Sequence, residues 1–199
     1  MKLVLATTNL HKIREIRAIL KTLAHIDILS LHDFPDYTPP DESGSTFEEN
    51  ALLKASHAAK TLNCAVIADD SGLVVPALNN EPGIRSARYA GDSSTDHDNR
   101  MKLIKEIEKL PEKARVAYYV TVLILATPEG MQKQAIGKCE GHLITSPRGS
   151  HGFGYDPIFI KNDYPKTLAE LDEELKNRIS ARRKALDKLI PSLELLQIC

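Results

Sequence analysis

The stretch from Val116 to Ala126 constrains this chain more than any other. Every position in it is apolar or aromatic except Thr121. It is far too short for a membrane span, which needs about 20 apolar residues, so it reads as a long buried strand. A second run, Met131 to Ile144, follows the turn-forming pair Glu129-Gly130. Arg115–Ala126 and Met131–Ile144 are therefore expected to form a long hairpin, which puts an antiparallel pair into whatever sheet the chain builds.

The rest of the sequence alternates short apolar runs with helical spacing. Leu3 to Ala6 reads as a buried strand. His11 to Leu23 then places Ile13, Ile16, Leu20 and Leu23 on one helical face. Ile26 to Leu29 is a second strand candidate. The acidic, proline-bearing loop Asp33–Ser45 leads to Thr46-Phe47-Glu48-Glu49, a capping-box pattern expected to open a helix running to about Leu62. Ala65–Ala68 is a third buried strand, closed by a turn at Asp69-Asp70-Ser71-Gly72, with Leu73–Val75 as a possible extension beyond a kink. Asn79–Ser94 is loop-like, and Asp96–Leu110 is helical. Gly149–Asp156 is a glycine-dense loop before a strand at Pro157–Ile160. Thr167–Leu171 opens a helix, and a last helix covers about Lys176–Ile190. Strands and helices in this order, with one long hairpin, imply an α/β fold on a mixed sheet, built as a single domain over residues 1–199. No internal repeat or low-complexity segment occurs.

Composition narrows the function classes. A net charge of -1 argues against a nucleic-acid partner, so any anionic ligand must be met by local cations. The three cysteines, Cys64, Cys139 and Cys199, form no Cys-x-x-Cys pair and are expected to be reduced thiols, two of them on apolar strands. The apolar run that starts at Met1 turns polar at Thr7, too short for a signal-peptide core. A cytoplasmic location with no membrane partner is expected.

Five clusters could carry chemistry, and each also has a plain structural explanation. Thr7-Thr8-Asn9-Leu10-His11-Lys12 lies between a strand and a helix, where hydroxyls, an amide and helix N-terminal N–H groups suit an anion; the same residues could simply cap the helix. Asp41 and Glu42, with Glu48, Glu49, Asn50 and Lys54, offer hard oxygen ligands beside a lysine on the Asn50 helical face, or a solvated acidic loop. Asp69-Asp70 follows a buried strand, where α/β sheets place their ligands; one carboxylate there could hold Mg²⁺ and polarise a water. The alternative is an Asx-type turn. The loop Gly149–Pro157 presents Phe153 and Tyr155 as stacking faces and Asp156 as an acceptor for a base edge, or it is a loop tip whose rings enter the core. Lys176 to Arg183 is a cation cluster at the expected start of the last helix, where it opposes the helix dipole and so suits a bound anion, unless it is a solvated basic face. Neither a Walker loop nor Gly-x-Gly-x-x-Gly is present.

Taken in order, these segments resemble the inosine triphosphate pyrophosphatase family, the Ham1-like hydrolases of non-standard purine nucleotides. The matching stretches are Thr7 to Lys12, Thr46-Phe47-Glu48-Glu49-Asn50-Ala51 with Lys54, and Ala68 to Leu73. Pro82-Gly83 with Ser86 to Gly91, Gly152 to Phe159, and Lys176-Asn177 with Ile179-Ser180 and Arg182 complete the set. The resemblance implies an elongated, two-lobed α/β fold with its active site in a cleft between the lobes, a homodimer, and Mg²⁺ as cofactor. It implies that the substrate is a small purine nucleoside triphosphate (ITP, dITP, XTP or dXTP), cleaved to the monophosphate and pyrophosphate. By the same resemblance Asp70 is the catalytic acid/base and a metal ligand, with Glu42 as second metal carboxylate. Thr7, Thr8, Asn9, Leu10, His11, Lys12, Lys54 and Ser71 would hold the phosphates. Phe153, Gly154, Tyr155, Asp156, Lys176, Ala181 and Arg182 would hold the base and its neighbours.

The chain departs from the family pattern in two places. Ala181 replaces the histidine usual between serine and arginine, near the expected purine. Asn80 replaces the usual glycine before Pro82-Gly83, which Asn can do because it tolerates positive φ. Two other functions remain compatible with the residues alone: a nucleotide-binding module with weak catalysis, and a generic Mg²⁺ phosphomonoesterase built on Asp69-Asp70.

Overall fold

The chain opens with β1 (Lys2–Leu5) and α1 (Leu10–Leu20), followed by β2 (Asp27–Ser30), α2 (Phe47–Leu62) and β3 (Ala65–Val74). Then come α3 (Asp96–Glu108), the hairpin β4 (Val116–Thr127) and β5 (Gly130–Leu143), β6 (Phe159–Lys161), α4 (Glu173–Ile179) and α5 (Ala181–Leu195). This computed structural model describes residues 2–196 apart from Thr22 and Ala24. Cys199, one of the thiols considered above, lies outside the described residues, as does Met1.

The strands form one mixed sheet in the order β2-β1-β3-β4-β5-β6. β1 runs parallel to both neighbours, pairing Leu3 with Ile28 and with Ala65, while β5 and β6 are antiparallel. The expected α/β fold with a long hairpin is what forms. By contact density the described chain divides into two units: residues 1–70, 121–137 and 182–199 make the first, and residues 71–120 and 138–181 the second.

In the first unit the sheet is covered on both faces, and the strand alternation decides which residue meets which helix. Leu3, Leu5, Ile67, Leu123 and Leu125 pack with Ile13, Ile16 and Ile19 of α1 and with Leu186, Leu189 and Leu193 of α5. Val4, Val66, Ala68, Val122 and Ile124 face the other way, against Ala51, Ala55, Ala58 and Ala59 of α2. That alanine face lets α2 lie close on the sheet. The second unit has its own core, in which Leu103, Ile104 and Ile107 of α3 pack with Tyr155, Ile158, Phe159 and Leu168.

Several local expectations change. The Asp69–Gly72 segment is not a turn that ends a strand: β3 continues through it to Val74. The last helix is two helices, because Ser180 is extended (φ -67, ψ 157) between α4 and α5. α5 also continues past Pro191 to Leu195, with Leu193 fully buried; apolar packing outweighs the hydrogen bond that proline removes. Thr167 opens only a 3₁₀ turn, Leu168–Glu170, and its hydroxyl donates to the Arg148 carbonyl. Pro157 and Ile158 belong to a 3₁₀ turn, and the strand starts at Phe159. Asn80 takes φ 67, as its substitution for glycine requires. Cys64 precedes β3 instead of lying on it, and Cys139 is buried on β5; both are free thiols. Among the described residues, no helix is long and apolar enough to cross a membrane.

Candidate active site

Asp69 and Asp70 lie inside β3, so the pleat sends their side chains to opposite faces. Both are buried. Asp69 faces the side of α1 and α5. There its Oδ2 accepts from Lys12 Nζ at 2.8 Å and from Arg182 Nη2 at 3.3 Å. Arg182 also pairs with Glu15 of α1. Burial alone would raise the Asp69 pKa, but Lys12, Arg182 and Lys54 outweigh it and hold the carboxyl well below the usual range. Asp69 is thus a permanent anion that orders two cations.

Asp70 faces α2. Its Oδ2 accepts from Asn50 Nδ2 at 3.2 Å, and its Oδ1 is 3.9 Å from Lys54 Nζ. Lys54 Nζ also donates to Glu42 Oε1 at 2.8 Å. Burial pushes the Asp70 carboxyl up to about 6; Lys54 opposes the rise and Glu42 adds to it. A carboxyl near 6 is ionised at neutral pH yet close enough in basicity to take a proton. Burial also works against the Lys54 ammonium, but Asp69, Asp70 and Glu42 keep it above its ordinary value.

Glu42 is on the loop before α2, and that loop is tied down at several points. Asn50 Oδ1 accepts from Gly44 N at 2.8 Å, so a wholly buried amide joins the Glu42 loop to Asp70. Thr46 caps α2 as expected, by accepting from Glu49 N. The Glu49 carboxylate, however, reaches back to Ser45 N and Ser45 Oγ, one residue beyond the expected capping-box partner.

The donor chemistry suits a hard divalent cation. Glu42 and Asp70 turn carboxylate oxygens toward one point, now marked by the Lys54 ammonium. Among the described residues no three His, Cys, Asp or Glu side chains gather into a closed metal cage. Two carboxylates with open positions are what Mg²⁺ uses when substrate phosphates and water complete its shell.

The Thr7–Lys12 segment splits in role. Asn9 is the cap of α1: its Oδ1 accepts from His11 N and Lys12 N. Thr7 Oγ1 accepts from Asn9 N, and the Thr8 carbonyl accepts from His32 Nε2 at 3.0 Å. Thr8, Asn9, Leu10 and His11 are exposed. Ser71 follows Asp70 in β3 and is partly exposed.

The second unit holds the Phe153–Asp156 loop. Asp156 Oδ1 accepts from Tyr119 Oη at 3.2 Å, and its Oδ2 accepts from Phe153 N at 2.8 Å and from Lys176 Nζ. Asp156 was expected to accept from a base edge. Instead, both of its oxygens are committed to shaping the loop. Lys176 also lies 4.6 Å from the centre of the Phe153 ring. Gly152 has to be glycine: its φ is 75, and a Cβ would lie 2.2 Å from Asp156 Oδ2. Tyr155 is buried and donates to the Ser86 carbonyl. From α3, Asp96 Oδ2 accepts from Gly154 N at 2.7 Å and Arg100 Nη1 donates to the Gly154 carbonyl at 2.6 Å.

The proposed base-binding residues fall in both units, Arg182 in the first and the others in the second. Lys176 sits in the last turn of α4, where a cation suits the helix dipole, so the opposed-dipole argument applies only to Arg182 and Arg183. Arg182 is buried with Glu15 and Asp69, and Ala181 is buried in the apolar core of the second unit. Sequence reasoning missed Glu15, Asp96, Arg100 and Tyr119. Glu15 alone left a trace, as an acid three residues from Lys12 on the apolar face of α1.

An α/β protein in which Glu42 and Asp70 turn toward one cation position, with Asp70 itself basic enough to take a proton, carries the residues that a metal-assisted hydrolase would use. The Ham1 family profile matches residues 3–192. Similar curated proteins include the dITP/XTP pyrophosphatases of Protochlamydia amoebophila (55% identical, covering 99% of this chain and all of that protein) and Chlamydia caviae (50%, 98% and 95%). Among solved structures, the Staphylococcus aureus Ham1 protein (TM-score 0.86, 42% identical) and a Coxiella burnetii HAM1 protein (0.88, 38%) each match over 98% of both chains. The chain belongs to the Ham1 family.

Proposed function

We propose that this protein hydrolyses the triphosphates of non-standard purines, dITP and XTP with ITP and dXTP, to the nucleoside monophosphate and pyrophosphate. The observation that carries this proposal is the convergence of Glu42 and Asp70 on one cation position, with the Asp70 carboxyl buried and raised to about 6. Relatives bearing the dITP/XTP pyrophosphatase name, similar over the full length, support the choice of substrate.

Asp70 accepts the proton of the attacking water. The water oxygen bonds to the α-phosphorus, the bond from that phosphorus to the α–β bridging oxygen breaks, and pyrophosphate leaves. Mg²⁺, held by Glu42 and Asp70, would supply charge stabilisation for the leaving pyrophosphate. A triphosphate carries about four negative charges, and Lys12 and Lys54 would answer part of them. Ser71 and the Thr7–His11 segment offer hydroxyl and amide contacts for the phosphates. Phe153, with Gly154 and Lys176, would receive the purine; Tyr155, expected as a second stacking face, is instead buried in the core of the second unit. The homodimer rests on the family resemblance.

The test is a nucleotide panel. With Mg²⁺, dITP and XTP should turn over far faster than dATP and dGTP, and EDTA should abolish the reaction. Equal rates across the panel would refute the base assignment, and full activity in EDTA would refute the metal.

A further inference from the structure

We propose that Lys54 is a built-in counter-cation. Its ammonium holds the position between Glu42 and Asp70 in the metal-free protein and gives that position up when a divalent cation binds there. This inference rests on the metal-dependent hydrolysis proposed above.

The geometry is specific. Lys54 Nζ is 2.8 Å from Glu42 Oε1 and 3.9 Å from Asp70 Oδ1, and the Lys54 side chain is only 13% exposed. Without a cation between them, the buried Asp70 carboxylate and the Glu42 carboxylate, whose side chain is 33% exposed, would face each other with Asp69 next in sequence. The lysine answers that repulsion. A Mg²⁺ ion bonds carboxylate oxygen at about 2.0–2.1 Å, so an ion shared by Glu42 and Asp70 competes with the ammonium for the same oxygens and repels it as a like charge. Lysine suits such an exchange, since its compact charge rides on a flexible four-carbon stem. Once displaced, the ammonium remains within the stem's reach, where it can meet the phosphate oxygens that the cation brings with it.

The backbone of the Glu42 loop and the Asp70 carboxyl have a tie that does not involve Lys54. Asn50 ties Gly44 of the Glu42 loop to Asp70 through its two amide ends. Gly44 leaves no room for a side chain, because a Cβ there would lie 2.6 Å from Asn50 Oδ1. Removing the lysine should therefore leave a working, more strongly anionic site.

The test is divalent-cation binding to the nucleotide-free protein and to Lys54→Met, followed by calorimetry with Mg²⁺ and by electron paramagnetic resonance with Mn²⁺. Lys54→Met should bind both ions at least tenfold more tightly, while its pyrophosphate release from dITP falls at saturating metal. Equal or weaker binding by Lys54→Met, with normal binding by the parent protein, overturns the counter-cation and leaves the metal site standing. Failure of both the parent protein and Lys54→Met to bind either ion at millimolar concentration overturns both. If Lys54→Met does not fold, the parent protein with ¹³C-methylated lysines gives the answer. The Lys54 resonance must shift on Mg²⁺ titration without nucleotide, and a resonance that stays put overturns the proposal.

Discussion

Replacing Asp70 with asparagine should make the metal-free protein more stable at pH 8 while destroying its activity. The carboxyl is raised from 3.8 to about 6, chiefly by burial. At about 1.4 kcal/mol per tenfold change in proton affinity, the ionised side chain costs the folded state about 3 kcal/mol relative to the protonated one. The sign follows from the raised value. Stability from the protonated form is fully present below pH 3.8 and is lost as pH rises through 6. Asparagine carries no charge at any pH, and its carbonyl can still accept from Asn50. The variant should thus exceed the parent by up to about 3 kcal/mol at pH 8, roughly 6–12 °C in Tm for a chain of this size. The excess should shrink by about 1.4 kcal/mol on going to pH 5, where the Asp70 carboxyl of the folded parent is about nine-tenths protonated. Asp69 does not blur this window. Its value is depressed, so its contribution is lost only at pH below 3.8. Urea unfolding in EDTA from pH 5 to pH 8 provides the assay. A variant less stable than the parent at pH 8, or an excess that does not change with pH, would refute the reasoning.

Asp70→Asn should also retain nucleotide binding by calorimetry while pyrophosphate release becomes undetectable; a turning-over variant would remove Asp70 from the chemistry. Arg182→Met leaves Glu15 and Asp69 buried without their guanidinium, and thermal or urea unfolding should show a loss of about 3–5 kcal/mol. A loss below about 1 kcal/mol would mean the network carries little. Gly152→Ala drives a methyl into the Asp156 carboxylate, so KM for dITP should rise about tenfold or more while kcat changes less. The opposite split would place the Phe153–Asp156 loop in the chemical step.

The alternation of apolar runs and helical faces made most elements legible. It failed where the structure depends on charges far apart in sequence. Asp69 and Asp70 look like the end of a strand, because two acids after Ala65–Ala68 break the apolar run. They remain in β3 because Arg182, 113 residues away in sequence from Asp69, and Lys12 neutralise one face, while Asn50 and Lys54 serve the other. The break at Ser180 carries no glycine or proline to announce it. The commitment of Asp156 to Tyr119 and Lys176 was equally hidden, since its partners sit on β4 and α4. The carboxylate pair and its lysine were visible as residue types, but their convergence on one point was not.

The position of bond cleavage tests the central claim most directly. Turnover of dITP in ¹⁸O-labelled water with Mg²⁺ should release pyrophosphate, with the label in the nucleoside monophosphate. Orthophosphate as the product, or label in the pyrophosphate, would contradict attack at the α-phosphorus and with it the proposed function.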